Sequence, residues 1–248
     1  MPVTSKPLAR NDPAGDPAPI RRVAEYLRGY IVERGLSAGA GLPGEVEMGR
    51  TLGLSRPSVR EASAALSALG VIDVAPGRRP RVGTLGESLG GGALRDILDT
   101  ALITEQADLR QVMELRRGFE VEMCGLAAAR HTAGQIEALR AVLQAMARVL
   151  AEREAYAALD LEFHILLGQA TGNPLYALLV AEVQQAILSN LALALRRDAG
   201  PDELARVQDL HETILDCVAR RDVAASRRAM RRHFDDVDRA LRRRPKKG

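Results

Sequence analysis

The stretch Leu52-Gly-Leu-Ser-Arg-Pro-Ser-Val-Arg-Glu-Ala62 decides the fold of the first part of this chain. Gly53 interrupts a helical pattern that precedes it. Ser55 can cap a new helix, because its side chain can accept a hydrogen bond from the free amides of the first turn. Pro57 suits that turn, where its missing N–H is not needed. The stretch therefore predicts a helix, a tight turn and a second helix.

On both sides of this stretch, apolar residues at helical spacing and an alternating pattern predict three helices and a hairpin. The helices cover about 20–35, 45–52 and 55–69, and the short strands cover 71–74 and 81–82. Gly70 can provide a left-handed cap where the third helix ends. This order of elements is that of a winged helix-turn-helix domain, which we place at residues 19–83.

The rest of the chain is dominated by Ala, Leu, Arg and Glu, which are strong helix formers. Predicted helices cover about 94–104, 108–130, 133–152, 155–171, 174–198, 201–220 and 222–242. The fold class is thus mainly α, with the winged domain followed by an all-α antiparallel bundle of six to seven helices. The remaining segments are a disordered extension (1–18), a glycine-rich linker (84–94) and a basic tail (242–248), and the helical domain spans 95–241.

Charge is distributed unevenly along the chain, although the net charge is only +3. Residues 20–83 carry ten Lys/Arg against six Asp/Glu, whereas residues 84–241 carry eighteen against twenty-four. A basic small domain followed by an acidic larger one suits a protein that contacts a polyanion with one end. No stretch approaches the roughly 20 apolar residues of a membrane span. Cys124 and Cys217 fit packed, reduced thiols, so we expect a cytoplasmic protein.

The helix that begins near Ser55 has two distinct faces. Its apolar residues cluster on one side: Val59, Ala62, Leu66 and Leu69. Arg56 and Arg60 lie one turn apart on another stripe, and arginine can bond O6 and N7 of guanine together in the major groove. The hairpin tip Gly77-Arg78-Arg79 places further cations where a wing would meet DNA. Taken alone, these arginines could also form a solvated surface.

Two segments resemble the helix-turn-helix of the GntR family of bacterial regulators: Leu-Pro-x-Glu at 42–45 and the stretch at 52–62. The resemblance implies that Arg56 and Arg60 enter the major groove and that the hairpin tip enters the minor groove. Val46 stands where relatives often carry a DNA-contacting arginine, so either Arg50, one turn later, replaces that contact or the contact is lost. The predicted DNA-binding residues are Arg50, Ser55, Arg56, Ser58, Arg60, Gly77, Arg78 and Arg79.

The histidines of the second domain suggest a metal site. Asp160 and His164 are spaced i, i+4 and so share one helical face, and His211 and His233 lie on the last two predicted helices. If these helices face one another, three imidazoles and a carboxylate meet inside the bundle. Such a set suits a divalent transition metal, with zinc preferred and nickel as the alternative. His131 falls outside the pattern and is expected at the surface.

Residues 95–241 also resemble the helical effector domain (FCD domain) of the FadR-type branch of GntR regulators, in its metal-binding form. The matching segments are Glu114-Leu-Arg-Arg-Gly-Phe-Glu120, Asp160-Leu-Glu-Phe-His164, Gly172-Asn-Pro174, Leu210-His-Glu-Thr-Ile214 and Met230-Arg-Arg-His233. The resemblance implies that Arg116 helps to hold the carboxylate of an effector, which the metal would also bind. Arg116 could instead form an ordinary i, i+4 ion pair with Glu120. Its neighbour Arg117 is expected to be exposed.

The leading hypothesis is a homodimeric transcription regulator, and more specifically a repressor. It would bind a palindromic double-stranded DNA operator under the control of a small carboxylic or sugar acid, without a membrane partner. One alternative is a metallohydrolase fused to a DNA-targeting domain, but Glu162 lies on the opposite side of the helix from the predicted ligands and offers no general base. The other alternative is an architectural DNA-binding protein that responds to no ligand.

Overall fold

The computed structural model describes residues 18–84, 92–188 and 201–242. The chain divides into two compact units, residues 1–93 and 94–248. Residues 1–17 of the predicted disordered extension, residues 243–248 of the basic tail and most of the predicted linker lie outside the described residues, and so do residues 189–198 of the predicted 174–198 helix. Residues 18 and 242 lie in helices. None of the described helices is long and apolar enough to cross a membrane.

The first unit contains three helices and a two-stranded antiparallel hairpin. The helices are α1 (Ala18–Arg34), α2 (Glu45–Leu52) and α3 (Arg56–Ala68), and the strands are β1 (Ile72–Asp73) and β2 (Arg81–Val82). Ile72 pairs with Val82 across the hairpin. This is the predicted winged helix-turn-helix order.

The turn between α2 and α3 forms as its residues predict. Gly53 adopts a left-handed backbone (φ 64°), and the amide of Leu54 donates to the carbonyl of Gly49 at 3.0 Å. The side chain of Ser55 accepts a hydrogen bond from the amide of Ser58 at 3.2 Å, which caps α3. These local bonds fix the direction in which α3 leaves α2.

The core of the first unit is formed by one face of each of its three helices and by Ile72 of β1. Val59, Ala62 and Leu66 of α3 are buried in it, as the helical spacing predicts. Leu69, which the same spacing places with them, is 49% exposed. Leu69 is the C-cap residue after Ala68, at the very end of α3, and there the prediction of an apolar packed face is wrong.

Seven helices follow the hairpin among the described residues. They are α4 (Ala93–Ile103), α5 (Leu109–Arg130), α6 (Ala133–Arg148), α7 (Arg153–Ala170), α8 (Pro174–Ile187), α9 (Pro201–Ala219) and α10 (Val223–Arg242). Helix α5 packs against α7, α8, α9 and α10, and α7 also packs against α6 and α8. The predicted fold class, a winged helix-turn-helix followed by a helical domain, is confirmed.

Local capping and close packing hold this bundle together. Asp108 and Gln111 form a reciprocal capping box at the start of α5. Gly168 of α7 lies so close to α8 that an added Cβ would be 2.7 Å from the backbone of Ala177. Cys124 and Cys217 are both buried, and burial raises the pKa of the Cys124 thiol, with Cys217 raising it further. Both cysteines therefore serve as core residues, as predicted.

Candidate functional site

Helix α3 presents its two arginines to solvent. Arg56 and Arg60 are exposed, whereas Val59 between them is fully buried. Ser55 caps the helix, and its Oγ lies 2.7 Å from Oγ of Ser58. The capped end of α3 thus carries two guanidinium groups on its open face, beside the positive end of the helix dipole, which is an arrangement that attracts phosphate.

The hairpin tip carries a second group of cations. Gly77 has a left-handed backbone (φ 73°) at the tip, and Arg78, Arg79 and Arg81 are exposed. The base of the hairpin is fixed to the loop before α2, because the amide of Leu42 donates to the carbonyl of Pro80 at 2.8 Å. The tip is thus a positively charged projection, and hydrogen bonds hold the foot of the hairpin in place.

Helix α2 contributes to the same basic surface. Arg50 is exposed in the last turn of α2 and lines one surface groove together with Arg79 of the hairpin. Val46 also lines this groove and is 61% exposed. Arg50 is therefore placed with another predicted DNA-binding residue, whereas Val46 offers only an apolar surface there.

Three histidines from three helices meet inside the second unit. His164 lies on α7, His211 on α9 and His233 on α10, and each offers a ring nitrogen within 4.8 Å of the others. All three are buried, with exposures of 0%, 0% and 2% in that order. The structure thus brings together three of the four predicted metal ligands.

The chemistry of these imidazoles fits a metal ion. Nε2 of His164 and Nδ1 of His233 are buried and have no hydrogen-bond partner among the described residues. Burial lowers the pKa of His233 well below its usual value, and the neighbouring His211 and His164 lower it further. The neutral ring that results is the form that binds metal ions.

Asp160, the fourth predicted ligand, is buried one turn before His164 on α7. It stands outside the set of three mutually close groups, but its Oδ1 lies 3.4 Å from Nε2 of His211. The carboxylate therefore contacts His211, and its charge also acts on His233, whose pKa it raises against the stronger lowering effects.

Glu120 connects this cluster to Arg116, and both residues lie on α5. Nε of Arg116 donates to Oε1 of Glu120 at 2.6 Å, and Oε2 of Glu120 lies 2.7 Å from Nδ1 of His164. Burial raises the pKa of Glu120, but its interactions with the Arg116 guanidinium and the His164 ring outweigh that effect and lower the pKa to about 2. Glu120 is therefore an anion between the arginine and the histidine.

Arg116 also faces a cavity. It can therefore pair with Glu120 and still line the predicted effector site. The Nη2 atom of Arg116 is buried without a hydrogen-bond partner among the described residues. The cavity, of about 90 Å³, has room for several water molecules, since one needs about 10–15 Å³. Its polar lining residues are Arg116, Asp160, Gln184, Glu203, His233 and Asp236.

Comparison with known proteins identifies both units. Residues 19–82 match the family described as bacterial regulatory proteins, gntR family, and residues 111–236 match the FCD domain. A transcriptional repressor NanR from Cronobacter sakazakii is 32% identical over 225 residues, which cover 87% of this chain and 82% of that relative. The chain belongs to the GntR family. It is a GntR transcription regulator with an FCD domain, as its motifs predict.

Two further relatives place this GntR regulator among similar proteins. The transcriptional regulator LutR from Bacillus subtilis is 27% identical over 190 residues, which cover 76% of this chain and 85% of LutR. The solved structure of a Streptococcus agalactiae GntR protein covers 89% of this chain and 99% of its own, with a TM-score of 0.61 and 24% identity. That structure shows likeness of fold. The named relatives are transcription regulators, not enzymes.

Several site features of this GntR regulator differ from the sequence-based expectation or were missed by it. His131, expected at the surface, is only 7% exposed because it ends α5 against the bundle. Arg117 is half-exposed and forms an ion pair with Asp235 at 2.7 Å. The contact between Glu120 and His164 was not predicted, and neither was the amide of Gln184 in the cavity. Glu162 is exposed, on the side away from the histidines, as predicted.

Proposed function

We propose that this GntR regulator is a dimeric repressor whose affinity for a palindromic operator is controlled by a small carboxylic or sugar acid bound beside a divalent metal ion. The observation that supports the effector site most directly is the buried Nη2 of Arg116, which has no acceptor among the described residues and faces the cavity that Asp160 and His233 also line. A guanidinium binds a carboxylate through two parallel hydrogen bonds. An acid in the cavity would provide the missing acceptor.

In this proposal His164, His211, His233 and Asp160 hold the metal ion. Three imidazoles and a carboxylate are a borderline donor set, which favours zinc, with nickel as the alternative. The ion would supply a positive centre with an open coordination position for an anionic oxygen of the effector. Glu120 would orient His164 so that Nε2, the ring nitrogen with no partner in the part of the chain that the structure describes, is available to the ion.

We assign DNA binding to the capped end of α3 and to the hairpin tip. Arg56 and Arg60 would read base edges in the major groove, and Arg78 and Arg79 would contact the backbone or the minor groove. Arg50, which shares a groove with Arg79, would replace the contact that is missing at Val46. Ser55, Ser58 and Gly77 would support these contacts through the cap of α3 and the shape of the tip. The relatives named NanR are repressors, which supports repression here.

The DNA-binding assignment is tested with an operator selected by the wild-type protein from random-sequence duplexes. Arg56→Ala should weaken binding to it by about 1–3 kcal/mol and relax the preference at one base pair in each half-site, because a bidentate contact to guanine is lost. Fluorescence anisotropy measures both effects. Arg34→Ala is the control, since Arg34 is paired with Glu33 and stacked on Tyr30. Unchanged affinity of Arg56→Ala would disprove the assignment.

The effector assignment is tested by thermal shift of the zinc-loaded protein against a panel of carboxylic and sugar acids. An acid that binds should raise the melting temperature and change operator affinity, because a ligand shifts an equilibrium only by binding its two states differently. Arg116→Lys should lose most of the shift, since lysine keeps the charge but not the fork. Arg117→Lys is the matched control on the same helix. Operator affinity indifferent to every acid and to chelators would indicate an architectural protein instead.

A further inference from the structure

Gln184 is a polar residue in an apolar part of helix α8. Its side chain is 4% exposed, and Val180, Val183 and Ile187 around it on the helix are buried in the core. The Nε2 atom is buried and has no hydrogen-bond partner among the described residues. Gln184 nevertheless lines the cavity that contains Arg116 and His233. A buried amide without an acceptor thus borders the proposed effector site.

A buried amide at this position destabilises the fold unless a ligand completes its hydrogen bonds. Burying an amide that makes no hydrogen bond costs free energy, and buried polar groups in proteins almost always have a partner. A leucine or methionine of similar size would fill the same volume at no such cost. The amide is therefore best explained by a polar group of whatever molecule occupies the cavity.

The chemistry of the amide indicates which polar group this is. Arg116 is the natural partner of a carboxylate, because among the described residues that line the cavity it is the cation with an unused N–H group. Gln184 is neutral and suits a neutral oxygen. A hydroxyl group can both donate and accept, so it satisfies a glutamine amide whichever end of the amide faces it.

We infer that Gln184 hydrogen-bonds a hydroxyl group of the effector, so that this regulator prefers hydroxylated carboxylic acids to the same acids without the hydroxyl. The inference rests on the proposed function, in which Arg116 and the metal ion hold the carboxylate. Discrimination of this kind is strong, because a site built to bond a hydroxyl is left with an unpaired buried group when the hydroxyl is missing. Gln184 is then a specificity-determining residue.

The experiment compares pairs of acids that differ only in hydroxyl groups: malate with succinate, lactate with propionate, and gluconate with hexanoate. Isothermal titration of the full-length, zinc-loaded protein should give at least about tenfold tighter binding of the hydroxylated member in the pair that binds best. Gln184→Met, which keeps the volume and removes the amide, should reduce that preference to less than about twofold. Gln185→Met, at the exposed neighbouring position, is the matched control and should keep it. Circular dichroism and zinc content verify that each variant is folded.

The outcomes separate this inference from the proposed function. If the wild type binds both members of each pair equally, or if Gln184→Met keeps the preference, the role of Gln184 is disproved while acid binding stands. If no acid in the panel binds the wild type, the effector class in the proposed function fails and the inference fails with it. The preference of the wild type is a test by itself, so a variant that does not fold still leaves the inference open to disproof.

Discussion

At the scale of single residues, Glu120 connects an arginine to a histidine inside the FCD domain. Its two oxygens are divided between Arg116 at 2.6 Å and His164 at 2.7 Å, and it is fully buried. A buried carboxylate with two cationic or polar neighbours fixes the position of both. If Arg116 moved, Glu120 would move with it and would change its contact with the ring of His164. The proposed effector site and the proposed metal site therefore have one residue in common.

Glu120→Gln tests this connection. A neutral amide orients His164 less strongly and makes its ring less basic, so zinc affinity should fall about 10–100-fold, as for other groups that orient metal ligands. Competition with a fluorescent chelator measures the affinity. Glu122→Gln on the same helix is the control, because Glu122 is exposed and pairs with Arg227 at 2.7 Å, away from the cluster. Equal zinc affinity in the two variants would contradict the role of Glu120.

At the scale of the helices, capping residues and breakers determine where elements begin and end. Helix α2 covers 45–52 as predicted, because Gly53 ends it, and α5 begins at Leu109 after its capping box. The predicted 133–152 helix in fact ends at Arg148, and α7 begins at Arg153. No glycine or proline lies between those two helices, so the sequence there carries no breaker that could reveal the turn.

Gly168 illustrates a constraint between two helices rather than within one. Gly168→Ala should destabilise the helical unit by about 1–3 kcal/mol, because the new Cβ would stand 2.7 Å from the backbone of Ala177 and force α7 and α8 apart. Chemical denaturation followed by circular dichroism measures the loss. Gly118→Ala is the matched control: nothing lies within 4 Å of its added Cβ, so it should stabilise α5 by up to about 1 kcal/mol. Equal effects of the two variants would disprove the packing argument.

At the scale of the whole molecule, the proposed metal site belongs to one unit only. All four histidines of the chain lie beyond residue 94, in the second unit, and the three clustered ones come from α7, α9 and α10. A bound ion would therefore link helices that are far apart in the sequence. It would stabilise the folded bundle but not the winged helix-turn-helix.

Metal removal should accordingly lower the stability of the second unit alone. Zinc at a hundred times its Kd adds about 2.7 kcal/mol to the free energy of unfolding. A chelator should therefore lower the free energy of unfolding of the helical unit by that amount and leave that of the first unit unchanged. Hydrogen exchange resolved along the chain measures both units in one experiment. His131→Ala should keep the zinc-dependent shift, whereas His233→Ala should lose it. A chelator effect on α3 equal to that on α10 would refute this separation.

Features that depend on short-range signals could be predicted from the residues alone. The turn at 52–56, the cap at Ser55, the hairpin and the exposed arginines of α3 follow from residue types at fixed spacings, because a helix and a turn satisfy their hydrogen bonds locally. The same spacing placed Asp160 and His164 on one face. It also allowed Arg116 and Glu120 to pair.

Only the tertiary structure decided which of these faces meet. It brought His164, His211 and His233 within 4.8 Å of one another and left the carboxylate of Asp160 beside His211. It also joined Glu120 to His164 and turned Gln184 toward the cavity. Periodicity shows which side of a helix is buried but not which helix covers it, because that choice depends on how all the side chains of the bundle pack together. Contacts between helices that are distant in sequence therefore depend on the packing of the whole bundle.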